Sequence, residues 1–229
     1  VGGWLVGIPF TSRPSALFLA VSPGPRFAAA AAAGTLAGTA SQAAFCLAYA
    51  WVAQTRSWAA SLAAAAAAFL AATALLNLWV PPPAWSFPAM IGVLLITLRL
   101  MPGRDKRPAR RLEFPRWDLP LRMVVATVFV VGLTEAAPLL GARLAGLLAP
   151  YPLYATVLAV FAHRLHGSAP AVGVLRGLLL GLFAFASFFF LVAALLVQHG
   201  IVIAFGAAIL AALTIQGATL TLSRRLGTA

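Results

Sequence analysis

Acidic side chains are almost missing from this chain. Four of its 229 residues are Asp or Glu, against 16 Lys or Arg, and only 9% of the chain is charged. An ordinary soluble domain is about a quarter charged. A water-soluble fold of this length could not cover a composition that is 62% hydrophobic. The core is therefore expected to be buried partly by lipid. Cysteine is nearly absent too. Cys46 stands alone in an apolar run, which excludes an intrachain disulfide and a thiolate metal site. The three histidines, His163, His166 and His199, fall at predicted helix ends. They read as solvated groups, because a membrane haem usually takes a histidine facing the bundle interior. The sequence shows no Ser/His/Asp set, no paired carboxylates, no phosphate loop and no metal cluster. Neither an enzyme nor a cofactor is expected.

The net charge of +12 is no nucleic-acid footprint. Eight of the 16 basic residues lie between Arg99 and Arg122, and most others flank apolar runs. That distribution reads as membrane orientation and attraction to anionic headgroups. A helix needs about 20 apolar residues to cross a bilayer. Eight runs qualify as candidates, near 4–21, 26–53, 57–79, 86–101, 121–141, 147–163, 170–197 and 201–223. The fourth is short, reaching about 24 Å at ~1.5 Å per residue. Turn chemistry separates the runs. Pro81-Pro82-Pro83 ends the third run, since consecutive prolines cannot continue a helix. Trp51, Trp58, Trp79 and Trp85 lie near predicted helix ends, where an aromatic belt would place them.

The chain also repeats itself. Residues 3–80 and 146–223 align without a gap at an offset of 143. Gly3 meets Gly146, Pro9 Pro152, Gly24 Gly167, Gly34 Gly177, Leu36 Leu179, Gly38 Gly181 and Phe45 Phe188. The expected fold is all-α: a polytopic bundle of about eight membrane helices in two pseudo-symmetric units. Residues 1–85 form the first unit, 86–120 a short helix and basic loop, and 121–229 the second unit. The 121–141 run has no counterpart before Val1, so a first helix is expected to be lost or omitted. The positive-inside rule places the 102–122 loop and the C-terminus in the cytoplasm. Counting crossings from there inverts the two units. A fourth run that fails to cross would make them parallel.

Glu135 is the sole acid outside the polar loop, within Leu133-Thr134-Glu135-Ala136. An ionisable group at membrane depth is by default a functional hypothesis, here a proton or cation coupler. The alternative is a carboxylate near the outer interface, paired with Arg143. Pro9-Phe10-Thr11-Ser12-Arg13-Pro14 and Pro150-Tyr151-Pro152-Leu153-Tyr154 occupy equivalent places in the repeat. Paired proline-broken segments are the best sequence pointer to a transporter's binding site. Pro9, Thr11, Ser12, Arg13, Tyr151, Pro152 and Tyr154 are thus candidate solute contacts. Capped helix starts at an interface are the competing reading. Gly34 and Gly38, with Gly173, Gly177 and Gly181, place glycine on one helix face, which is close-packing chemistry for helix crossings. Ser41, Gln42, Asn77, Ser187 and Gln216 are expected to hydrogen-bond between helices.

Ala149-Pro150-Tyr151-Pro152, Ala162-His163, Gly167, Leu175-Arg176 and Gly181 with its following aromatic give the second unit a resemblance. It resembles the small four-helix bacterial inner-membrane proteins of the GlpM type. That resemblance implies a bacterial inner-membrane location. The duplicated four-helix plan is also similar to that of drug/metabolite transporters. The leading expectation is a secondary transporter or permease for a small solute, with a coupling cation. The rival is a non-catalytic subunit of a larger membrane assembly, whose partners are lipid and other membrane proteins. If Glu135 couples transport, Glu135→Gln should abolish proton-dependent uptake in cells. Uptake equal to wild type would remove Glu135 from the mechanism.

Overall fold

In a computed structural model of the chain, residues 25–78, 83–103 and 147–225 are described without interruption. Between them, Val124, Thr127, Val128, Val131, Gly132, Glu135, Leu139 and Leu144 are described, all of them helical. Every regular element among the described residues is a helix: α1 (Pro25–Val52), α2 (Trp58–Leu78), α3 (Pro83–Leu100), α4 (Leu153–His166) and α5 (Ser168–Arg225). The protein is all-α, as its composition and run lengths imply.

Local chemistry sets the helix ends. α1 tightens as it stops, with Gln54 N–H donating to Trp51 O and Thr55 N–H to Val52 O. The Ser57 hydroxyl accepts from Ala60 N–H at 3.4 Å as α2 begins, the usual work of an N-cap serine. α3 opens on Pro83, whose missing N–H costs nothing in a first turn. α4 ends at Gly167 (φ 91°), whose N–H caps His163 O at 3.0 Å. α5 is 58 residues long and is interrupted at Gly200 (φ 76°). A straight helix of that length would run about 87 Å, well beyond any bilayer. Instead Phe188 and Phe205 meet edge to face at 6.0 Å, so the chain folds back at Gly200 and α5 is a hairpin.

α1 is the central element, packing on α2, α3 and α5; α4 packs on α5 and α2, and α3 on α5. Trp51 Nε1–H donates to Leu100 O at 2.9 Å, joining the C-terminal ends of α1 and α3. Arg176 donates to Pro102 O at 2.7 Å, and Phe87 stacks on Phe190 at 4.6 Å. Those two contacts run α3 antiparallel to the first arm of α5. α1 therefore also runs antiparallel to that arm. In sequence, the offset of 143 carries Pro25–Val52 onto 168–195 and Trp58–Leu78 onto 201–221. Leu36, Gly38 and Phe45 are buried, and so are Leu179, Gly181 and Phe188.

Among the described residues, two helices are long and apolar enough to cross a membrane: Trp58–Leu78 and the Ser168–Thr219 stretch of α5. This corrects the count of eight. The 4–21 run lies outside the described residues, and most of 121–141 does too. α1 is diluted by Thr35, Thr39, Ser41 and Gln42. α4 has 14 residues and α3 is an apolar helix of the shorter kind. α5 merges two runs. The apolar exposure of these helices is nonetheless extensive. Leu75 and Leu78 on α2, Leu95 and Ile96 on α3, and Val202 and Leu210 on α5 are all exposed. Trp51 and Trp58 are exposed at one end of the bundle and Trp85 at the other.

Gly38 marks a close approach in the core. A Cβ built there would lie 2.6 Å from Pro150 Cγ and 2.7 Å from Leu147 O. The second neighbour is backbone and cannot rotate away. Gly38→Ala should therefore cost about 1–3 kcal/mol, the usual range for overpacking. Gly173→Ala, with nothing within 4 Å of its Cβ, should cost nothing measurable. Thermal unfolding of both variants in detergent checks the contrast.

Candidate functional site

The proline-broken segment of the second unit lies on this contact. Leu147 and Leu148 are helical, Ala149 and Pro150 turn, and α4 begins after Pro152. Pro150 and Pro152 bring no N–H to a continuing helix. The segment closes with its own bonds instead. Tyr151 N–H donates to Leu148 O at 3.0 Å, and Leu153 N–H to Tyr151 O at 2.9 Å. Pro152 O accepts from both Thr156 N–H at 2.7 Å and Thr156 Oγ1–H at 2.8 Å.

A single row on α1 faces this break. Gly38, Gln42, Phe45 and Tyr49 recur at helical spacing, and all are buried. Gly38 abuts Pro150 and Leu147. Tyr151 is wedged between Phe45 at 5.8 Å and Phe69 of α2 at 5.1 Å, edge-on to both rings. Tyr49 stacks on Phe45 at 6.3 Å. Its hydroxyl lies 3.4 Å from Nδ1 of His163 in the last turn of α4. On the neighbouring face, Thr73 Oγ1–H donates to Ser41 Oγ at 2.9 Å, tying α1 to α2. Gln42 is only 5% exposed, and its Oε1 has no hydrogen-bond partner. The seam thus combines aromatic walls with neutral hydrogen-bonding groups: an amide, hydroxyls and an imidazole. No group of three or more His, Cys, Asp or Glu that could hold a metal occurs among the described residues.

The candidates from the sequence are dispersed. Pro9, Thr11, Ser12 and Arg13 lie outside the described residues. Tyr151 and Pro152 sit in the break, Pro152 buried, while Tyr154 is half-buried in the first turn of α4. Glu135 is exposed on its helix. Gly34, Gly38 and Gly181 are buried and Gly177 is half-buried, whereas Gly173 faces open space. Two residues take positions the sequence does not indicate. Gln42 is expected to bond between helices, yet its carbonyl oxygen is left without a partner. His163 is expected to be solvated, yet it is half-buried against Tyr49. The signal for Gln42 is its place in the Gly34–Gly38–Gln42 row. No signal for His163 exists, because its neighbour is 114 residues away.

No family model, no curated protein and no solved structure matches the chain.

The Ser41–Thr73 bond yields a direct test. Hydrogen bonds between membrane helices average about 0.6 kcal/mol and reach ~1.7. A double-mutant cycle of Ser41→Ala and Thr73→Val should give a coupling in that range, read from unfolding in mixed micelles. Additive single effects would show that the two hydroxyls contribute independently.

Proposed function

We propose that the chain is a polytopic inner-membrane protein of bacterial type, built from two inverted units and acting as a permease for a small polar solute. The observation that carries this reading is Gln42. Its buried amide oxygen has no partner and lies on the α1 row that packs the proline break. A buried polar atom without a partner costs free energy unless something else satisfies it. A solute or water passing the break would do so. The antiparallel run of α1 and the first arm of α5 supports inversion, since those helices are equivalents at the 143 offset. The exposed leucines, valines and isoleucines of α2, α3 and α5 support a lipid-facing surface. His163, Arg164 and His166 lie at the end of the bundle where α3 runs into the basic loop, which supports a cytoplasmic orientation for that end. In this reading the chemistry at the break is neutral hydrogen bonding, supplied by Gln42, Tyr151 and Thr156.

A second reading also has a specific observation behind it. Pro150 and Leu147 close tightly over Gly38, as in a bundle that opens no path there. That favours a non-catalytic subunit of a membrane assembly. Proteoliposomes carrying the purified chain separate the two. Under the permease reading, a panel of small amides, polyols and amino acids contains solutes that enter faster than in empty vesicles. Gln42→Leu then lowers that rate about tenfold, the equivalent of one hydrogen bond of ~1.4 kcal/mol. Rates equal to empty vesicles across the whole panel would leave the subunit reading in place.

A further inference from the structure

The turn between α1 and α2 brings cationic and aromatic groups to one corner of the bundle. Trp51, Arg56 and Trp58 are all exposed there. Arg56 N–H donates to Val52 O at 2.9 Å, which holds the arginine beside the last turn of α1. The Trp51 indole bonds Leu100 O at 2.9 Å, so the same corner includes the end of α3 and its Arg99. On α3, Leu95, Ile96, Arg99 and Leu100 are exposed. Their spacing of four puts them on one helix face. Toward the end of the bundle, an apolar strip thus leads to two indole rings and two guanidinium groups.

Nothing in the chain balances this charge. Among the described residues Glu135 is the sole acid, and it lies on another helical stretch. The same end also carries Arg164, in the last turn of α4, and Arg176, which donates to Pro102 O. Residues 104–122 continue the chain from this end and hold seven basic and three acidic side chains. Residues 1–24 hold Arg13 and no acid. Either segment, laid over the corner, adds net positive charge to it. Three carboxylates cannot neutralise the seven cations of their own segment, still less Arg56 and Arg99 as well. The counter-charge comes from outside the chain.

We propose that this corner seats an anionic phospholipid of the bilayer, with its phosphate at Arg56 and Arg99, its glycerol region at Trp51 and Trp58, and an acyl chain along Leu95 and Ile96. This rests on the membrane reading above, but not on transport. Guanidinium forks pair well with phosphate oxygens. Indole rings settle at the level of the headgroups, and hydrocarbon covers apolar side chains below them. The three kinds of group on the protein therefore stand in the order in which a phospholipid presents its own. A nucleic acid or an acidic peptide would match the arginines alone and leave the indoles and the apolar strip uncovered. Basic groups between membrane helices on the cytoplasmic side are a recurrent seat for anionic headgroups. A diffuse basic surface would weigh every arginine of this end alike; a seat would not.

The test is native mass spectrometry of the full chain released from nanodiscs of equal parts phosphatidylglycerol and phosphatidylcholine. The wild type is expected to keep phosphatidylglycerol about 25-fold in preference, or about fivefold for each of two arginines at ~1 kcal/mol per charge. Arg56→Gln and Arg99→Gln should each lower that preference about fivefold, and the double variant should abolish it. Arg99→Lys, which keeps the charge, should retain most of it. Arg164→Gln should leave it unchanged, since α4 packs on α5 and α2 rather than on α3. Arg26→Gln, exposed at the start of α1, should leave it unchanged too. Thermal unfolding equal to wild type shows that each variant is folded. Glycerol 1-phosphate, which has the phosphate without acyl chains, should not displace the lipid at equal concentration. Absence of a preference in the wild type would overturn the proposal. So would equal losses from Arg164→Gln and Arg99→Gln, displacement by glycerol 1-phosphate, or a nucleic acid or acidic protein retained in place of lipid. Release of the wild type from cell membranes by alkaline carbonate would instead remove the membrane reading, and the proposal with it.

Discussion

The backbone of α1 comes within contact distance of a turn more than a hundred residues away, and the missing Cβ of Gly38 permits it. Every other part of the seam follows from that approach. With Gly38 against Leu147 and Pro150, the next turns of α1 carry Gln42, Phe45 and Tyr49 alongside the break and α4. Tyr151 then has only one place to put its ring, between Phe45 and Phe69. α2 is drawn in by the same ring and by the Ser41–Thr73 bond. A methyl group at position 38 would push the break outward and loosen all of these contacts together. In a bilayer the consequence is sharper than in water. Lipid tails are as apolar as the side chains that pack, so helix association depends on close fit rather than on the hydrophobic effect.

The alanine-rich composition of α1 and α2 belongs to the same logic. Ala28, Ala29, Ala31 and Ala32 are buried near the start of α1, and Ala43 and Ala50 farther along. Small side chains let neighbouring backbones approach on several sides of one helix. That is how α1 can touch three other helices at once. The cost is a shortage of apolar side-chain volume, made up by the aromatic rings of Phe45, Phe69, Phe185, Phe188 and Phe189. Polar groups enter where rings and alanines leave room: Thr35 and Thr39 bond back to their own helix, and Gln42 is left with an oxygen unspent.

Much of this was legible in the sequence, for identifiable reasons. Long apolar runs and proline or glycine stops located the helices within a few residues, because periodicity and backbone chemistry are local. Gly34-x-x-x-Gly38 named the row that meets the break. The number of spanning helices was not legible, because an apolar run does not say whether it stands as one helix, joins the next, or loses the hydropathy of a crossing helix once diluted by threonine and glutamine. Nor was the direction in which Glu135 points. A lone acid in an apolar run looks equally suited to an interior or an outer face, and only the neighbours settle which. The pairing of Tyr49 with His163 needed the path of the chain in three dimensions.

The two hairpins differ at their bends. α1 passes to α2 through Ala53–Ser57, a turn held by four backbone hydrogen bonds. The arms of α5 are joined through Gly200, whose φ of 76° lies where a residue with a Cβ is rarely found. The first reversal is therefore shared among several residues of ordinary backbone, whereas the second is concentrated at one position that glycine suits.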